Sequence, residues 1–249
     1  MFFEIPRFCL YLLRKPILTM ISIPSSIIQV QQLLNTEQLQ QIDALLQQIP
    51  FEDGKTTATG TAKEVKNNLQ ATREENPYKR QLQQIVFAAV AGHPLVQTAV
   101  MPKNILPPII SKYSNGMEYG WHTDSPVMTI DYTVRADLSM TLFLSDPDTY
   151  KGGELVIHTP SGYVSYKLAK GDAVIYPTTR LHCVNPVTEG ERVACVTWLQ
   201  SLVKDTEKRE LLFQVKTIQE RIAAKDMKSE ENLLLLQVYS NLMRMWTDL

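Results

Sequence analysis

The feature that most limits how this chain can fold lies between residues 109 and 201. Short apolar or alternating runs follow one another there, cut by turn residues. Ile109-Ile110-Ser111-Lys112-Tyr113 comes first, then 121–124. Leu138, Met140, Leu142 and Leu144 alternate with Ser139, Thr141, Phe143 and Ser145. Gly152-Gly153 precedes 154–158, Thr159-Pro160-Ser161-Gly162 makes a hairpin turn into 163–168, and 171–177, 181–187 and 192–201 follow. Side chains alternate between the two faces of a strand. About seven short strands so spaced predict an antiparallel sandwich or barrel of the jelly-roll kind, a double-stranded β-helix.

The flanks read as helices, which makes the class α+β, mainly antiparallel β. Residues 27–34 suggest a short strand. Asn35 with Gln38 then forms a capping-box pattern ahead of Leu39, Ile42, Leu45, Leu46 and Ile49, and Pro50 stops that helix. The polar stretch 55–70 reads as loop, with surface and lid both open as its use. A second helix runs from about Tyr78 to Val90 and ends at Gly92-His93-Pro94. The tail carries two apolar stripes, Leu211, Leu212, Val215, Ile218, Ile222 and Ala223, then Leu233, Leu234, Val238, Leu242 and Met245. Both are expected to face the core, with a homodimer interface as the second reading. The expected division is an N-terminal extension at 1–19, a helical support region at 20–100, a jelly-roll core at 101–203 and a C-terminal helical region at 204–249.

Composition narrows the function. The 249 residues carry a formal charge of −1 with no basic block, so neither nucleic acid nor an anionic membrane is the expected partner. Cys9, Cys183 and Cys195 are too few and too scattered for a disulfide framework or zinc module. The expected setting is reducing and cytoplasmic. The apolar run 8–13 is shorter than the ~20 residues of a spanning helix and is followed, not preceded, by Arg14 and Lys15. Met20 is an alternative start.

Inside the β-rich region, Gly116-Met-Glu-Tyr-Gly120-Trp-His122-Thr-Asp124 places an imidazole and a carboxylate two residues apart. An extended segment presents both to one metal ion, and His-x-Asp is two-thirds of the facial triad of non-haem ferrous iron. The missing histidine has two candidates, His158 before a hairpin turn and His182 after the buried run 171–177; His93 has a local role at a helix end. Arg192 opens the last strand and shares a face with Ala194, Val196 and Trp198. A guanidinium on an inward face demands an anionic partner, and its fork matches a carboxylate.

The ordered set Tyr113, His122-Thr-Asp124, Asp137-Leu-Ser139, Gly152-Gly-Glu-Leu155, Lys170-Gly-Asp172, Tyr176-Pro177, His182, Pro186-Val-Thr188 and Arg192 resembles the iron(II)/2-oxoglutarate-dependent dioxygenases of the prolyl 4-hydroxylase type. It is most similar to the bacterial PKHD-type hydroxylases, including those associated with iron uptake. The resemblance runs from Met20 to Leu249, including the ending Asn241-Leu-Met-Arg-Met-Trp246. It implies that His122, Asp124 and His182 bind Fe(2+), that Arg192 binds the distal carboxylate of 2-oxoglutarate, and that Tyr113 donates a hydrogen bond to this co-substrate. It implies a hydroxylation that consumes O2 and 2-oxoglutarate, releases succinate and CO2, and is supported by L-ascorbate. One position departs from the pattern. Related oxygenases often place a Ser two residues after the arginine, where this chain has Ala194, so Tyr113 or Thr141 is expected to assist Arg192. The competing readings are a jelly-roll metalloenzyme that does not use 2-oxoglutarate and a metal-binding jelly roll without catalysis. The primary substrate is not legible; a siderophore, a small metabolite and a protein side chain are all compatible.

Overall fold

The structure is a computed structural model that describes residues 26–129 and 133–248; the N-terminal extension expected at 1–19, with Cys9, lies outside them. The chain begins with β1 (Ile28–Val30), α1 (Thr36–Leu46), β2 (Phe51–Asp53), a 3-10 turn (Gly54–Thr57), α2 (Gly60–Glu64), β3 (Lys66–Asn67), β4 (Leu69–Ala71), α3 (Pro77–Gly92) and α4 (Pro94–Ala99). The capping box is present in both directions: Asn35 Oδ1 accepts from the Gln38 backbone N–H at 2.9 Å, and Gln38 Oε1 accepts from the Asn35 N–H at 3.0 Å. Asn76 caps α3 through the N–H groups of Tyr78 and Lys79, with Pro77 in the first turn, where its missing N–H removes nothing.

Thirteen strands follow: β5 (Pro102–Ile105), β6 (Ile109–Tyr113), β7 (Glu118–His122), β8 (Val127–Thr129), β9 (Thr133–Arg135), β10 (Leu138–Phe143), β11 (Tyr150–Gly152), β12 (Leu155–Thr159), β13 (Gly162–Tyr166), β14 (Ala173–Pro177), β15 (His182–Val184), β16 (Val187–Gly190) and β17 (Arg192–Ser201), of which β8 with β9 and β11 with β16 form two-stranded sheets of their own. The larger sheet has the order β1-β14-β10-β17-β6-β4-β2, and β5 pairs with β17 beside it. The smaller has the order β13-β12-β15-β7-β3. Every pairing is antiparallel, and the fold is the expected jelly roll with helices.

The alternation read in 138–145 separates two environments. Leu138, Met140 and Leu142, with Ala173, Ile175, Val193 and Cys195, pack on Ile42, Leu82, Val86 and Val90 of α1 and α3. Burying each of the larger side chains contributes about 1.5–3 kcal/mol. That outer layer fixes the sheet firmly enough for its other face to carry polar groups. Phe143, Val174, Tyr176 and Tyr113 turn inward against Leu155, Ile157 and Val184 of the smaller sheet.

Some boundaries differ from expectation. The strand expected over 27–34 ends at Val30, because Gln32 turns at φ 50° and its N–H bonds Asp172 Oδ1 at 2.8 Å. The run 181–187 divides into β15 and β16 around Pro186, which has no N–H for a ladder. The stretch 55–70 is not a plain loop: it holds part of the 3-10 turn, α2, β3 and part of β4, so the N-terminal region adds strands to both sheets. α5 (Thr206–Ala223) and α6 (Glu230–Trp246) form the tail. The tail stripes are only partly core-facing. Leu212 is buried with Met101 and Val203 and meets Leu242, Tyr239 and Trp246, whereas Leu211, Ile218, Leu233, Leu234, Val238 and Met245 are exposed. Two helices packed on each other and on one edge of the barrel cannot cover an apolar band on both flanks. No helix among the described residues is long and apolar enough to cross a membrane.

Candidate active site

β7 and β15 are neighbours in the smaller sheet, and their register sets His182 directly opposite His122. The ring centroids are 4.3 Å apart. Asp124 lies just beyond the end of β7. Its Oδ1 is 3.9 Å from His122 Nε2 and its Oδ2 is 3.7 Å from His182 Nε2. One ligand atom from each of the three residues falls within 4.8 Å of the others, a spacing that can hold a metal ion.

The tautomers follow from the backbone. His122 Nδ1 is 2.8 Å from the Gly120 carbonyl oxygen, and His182 Nδ1 is 3.0 Å from that of Arg180. A carbonyl only accepts, so each Nδ1 carries the hydrogen and each Nε2 keeps its lone pair toward Asp124. Burial, with His182 beside it, lowers the His122 pKa to about 4, which keeps that imidazole neutral. Asp124 is held by the Ser139 hydroxyl, which donates to Oδ2 at 2.6 Å; Thr178 stands 3.1 Å from the same Ser139 oxygen and supplies it with a hydrogen. Tyr119 stacks on His122 with ring centroids 3.6 Å apart, and Tyr176 meets His182 edge-on at 5.1 Å.

Gly120 ties this site to the N-terminal segment. Its N–H donates to the Val65 carbonyl at 2.8 Å, and a Cβ on it would stand 2.8 Å from Val65 Cβ. Only glycine lets β7 and the end of α2 approach this closely.

Arg192 opens β17 opposite Tyr113 of β6. It is 2% exposed, and its guanidinium carbon lies 5.1 Å from the Tyr113 ring centre and 5.6 Å from that of Phe143. Its Nε and Nη2 are buried with no hydrogen-bond partner among the described residues. A cation so placed is strongly unfavourable unless an anion joins it. The expected helpers divide. Tyr113 is the ring beside the guanidinium; Thr141 lines the same cavity but makes no hydrogen bond to the buried Nε or Nη2 of Arg192 among the described residues. Tyr150, which the sequence did not single out, has a buried hydroxyl near Arg192; burial pushes its pKa up and Arg192 offsets part of that rise.

These groups line one cavity of about 560 Å³, a size suited to small-molecule ligands. His122, Asp124, His182, Arg192 and Tyr113 all reach it. Thr57, Ala58, Thr59 and Ala62 close one side of it, and Val127, Met128 and Thr129 another. Of the two candidates for the third ligand, His182 joins the cluster; His158 is exposed and packs on Tyr163 at 5.1 Å. His93 caps the junction of α3 and α4. Cys183 and Cys195 are free and buried.

Sequence reasoning missed Lys66, Trp198 as a donor, and the Tyr119 stack. Ser139 was legible as an inward residue from its alternation with Leu138 and Met140, though not as the partner of Asp124.

Comparison with known proteins agrees with this geometry. The 2OG-Fe(II) oxygenase superfamily matches residues 108–200, and the PKHD-type hydroxylase C-terminal domain matches 206–248. A PKHD-type hydroxylase of Thermosynechococcus vestitus is 42% identical over 224 residues, which are 90% of this chain and all of that one. One from Synechococcus elongatus is 43% identical over 223 residues, 89% of this chain and all of that one. Among solved structures, a 2OG-Fe(II) oxygenase family oxidoreductase from Burkholderia pseudomallei aligns with a TM-score of 0.50 at 16% identity, covering 70% of this chain and 84% of that one. A Trichoplax adhaerens prolyl hydroxylase, solved with a hypoxia inducible factor peptide fragment, gives 0.50 at 16% identity over 75% of this chain and 86% of its own. The chain is a 2-oxoglutarate-dependent dioxygenase by fold and family. Within that class, the chain belongs to the PKHD-type hydroxylases.

Proposed function

We propose that His122, Asp124 and His182 hold ferrous iron, that Arg192 holds the distal carboxylate of 2-oxoglutarate, and that the enzyme hydroxylates a C–H bond of a separate substrate. The observation that carries this reading is Arg192: a buried guanidinium with two unpartnered N–H groups, in the same cavity as the two histidines and the aspartate. The donor set suits iron on its chemistry, two neutral imidazoles and one carboxylate on one side with the other positions open. Iron, when bound, would activate dioxygen, with 2-oxoglutarate supplying two of the four electrons that dioxygen takes up and the substrate C–H bond the other two.

The protein supplies placement. The Gly120 and Arg180 carbonyls fix both Nε2 lone pairs, and Ser139 fixes the carboxylate. Tyr113, across the strand pair from Arg192, contributes its phenol at the same end of the cavity and donates to the co-substrate. The outer wall of leucines and the N-terminal segment exclude bulk water. Succinate and CO2 leave as co-products, L-ascorbate maintains the reduced metal, and the link to iron uptake belongs to the same proposal through family likeness.

The test is succinate release from 2-oxoglutarate by the purified protein under air with ferrous iron and ascorbate. Metal-dependent succinate formation that disappears in Asp124→Ala is the expected result. Turnover that persists in that variant, or none in the wild type under these conditions, counts against the reading.

A further inference from the structure

Resting on that assignment of the metal and co-substrate, we propose that Lys66, with Ser111, forms a second anion subsite that receives a carboxylate or phosphate group of the primary substrate. The subsite follows from which polar groups of the cavity wall are already committed. Lys66 is 4% exposed and lines the cavity. Its ammonium carries three hydrogens and makes one hydrogen bond, to Thr57 Oγ1 at 2.9 Å. No carboxylate among the described residues forms an ion pair with it. It lies over the Tyr119 ring, 5.1 Å from the centre, and Tyr119 in turn stacks on His122. The ammonium therefore sits one aromatic ring away from the proposed iron ligands.

Its neighbours are donors as well. Thr57, which accepts from Lys66, contacts Gln70 Oε1, and the Gln70 amide donates to Ser111 Oγ at 3.2 Å. Ser111 is buried and lines the cavity, and its own hydroxyl hydrogen has no acceptor among the described residues. Trp198 lines the same cavity with a buried indole N–H that has no partner among the described residues, but it stands four residues along β17 from Ala194, the residue opposite Ser111, and belongs to another part of the wall. Two other buried hydroxyls of the wall are occupied: Ser139 donates to Asp124, and Thr197 donates to the Leu106 carbonyl at 2.6 Å. Apart from Arg192 and Tyr113, which the co-substrate takes in this account, Lys66 and Ser111 offer a cation and a hydroxyl that seek an acceptor. Arg192 is a separate anion site on β17, opposite Tyr113. Two anion sites flanking one metal centre match one dicarboxylic co-substrate and one anionic substrate.

The experiment is nuclear relaxation with Mn(II) in place of iron, on the full chain. Acetate is followed by its methyl protons and inorganic phosphate by its phosphorus, each with and without saturating 2-oxoglutarate. The expected result is saturable relaxation of at least one probe anion by the protein-bound Mn(II) that persists when 2-oxoglutarate is saturating. It should fall at least tenfold in Lys66→Met and return in Lys66→Arg, while relaxation of 2-oxoglutarate itself is unchanged in Lys66→Met. That last signal also shows that the variant is folded. Which probe responds tells a carboxylate from a phosphate substrate. No saturable relaxation of either probe, equal relaxation in Lys66→Met, or loss of 2-oxoglutarate relaxation in Lys66→Met would overturn the subsite. Failure of the co-substrate assignment looks different: 2-oxoglutarate would not be relaxed by Mn(II) in the wild type, or Arg192→Ala would leave its relaxation intact.

Discussion

Arg192 and Tyr113 are cross-strand partners inside the barrel, with the guanidinium carbon 5.1 Å from the centre of the phenol ring. The ring supports the cation on one side and leaves Nε and Nη2 without a partner. Losing a buried charge-assisted pair costs about 2–5 kcal/mol, at least ~30-fold in affinity. Arg192→Ala is therefore expected to raise the 2-oxoglutarate Kd by that factor or more in anaerobic calorimetry, with metal binding retained. An unaltered Kd would remove Arg192 from the co-substrate site.

Ser139 touches neither the proposed iron nor the co-substrate in this account; it holds Asp124 at 2.6 Å. Partners of this kind contribute about 10–100-fold in metal affinity. Ser139→Ala is expected to weaken Fe(2+) binding within that range while the melting temperature changes little. Unchanged metal affinity would show that Asp124 needs no such support.

Gly120 joins β7 to the segment that covers the cavity. A methyl group there would stand 2.8 Å from Val65 Cβ, an atom that cannot swing aside without moving β3. Overpacking of this kind costs about 1–3 kcal/mol. Gly120→Ala should lower stability by that amount in urea denaturation and also weaken metal binding, because the Gly120 carbonyl orients His122. A variant as stable as wild type would mean that the β3–β7 contact is looser than it stands here.

Lys66 gives stability a pH signature. Burial lowers its pKa from 10.5 to about 8. Between pH 8 and 10.5 the unfolded chain holds a proton that the folded chain has released, so stability rises with pH across that window. Relative to Lys66→Met, wild type should gain up to about 3 kcal/mol between pH 7.5 and 10.5, read as the difference in unfolding free energy in urea. At pH 7.5 the methionine variant should be the more stable protein. A difference independent of pH would show that Lys66 is not desolvated in the folded state.

The barrel was legible because its strands alternate: Leu138, Met140 and Leu142 face the helices while Ser139, Thr141 and Phe143 face inward, as their spacing predicts. The capping box of α1 was legible for a similar local reason. The site was legible only in part. His122 and Asp124 are near in sequence, but the choice of His182 over His158 depends on β15 pairing with β7, a long-range register that no local pattern encodes. The roles of Lys66 and Tyr150 were invisible for the same reason. Lys66 sits in a polar run that looks like surface, and it is buried because β3 pairs with β7. The tail misled in the other direction, since helical spacing shows that an apolar stripe exists and not that a partner covers it.

The central claim is that His122 and His182 of two neighbouring strands, with Asp124 just beyond one of them, hold one ferrous ion beside a co-substrate held by Arg192. Its most direct test is anaerobic addition of Fe(2+) and 2-oxoglutarate to the purified protein, with the visible charge-transfer absorption of an iron(II)–2-oxo acid chelate as the readout. The account predicts a band that saturates at one iron per chain and is absent in His182→Ala and Asp124→Ala. A band of full intensity in either variant, or saturation at a different stoichiometry, would contradict it.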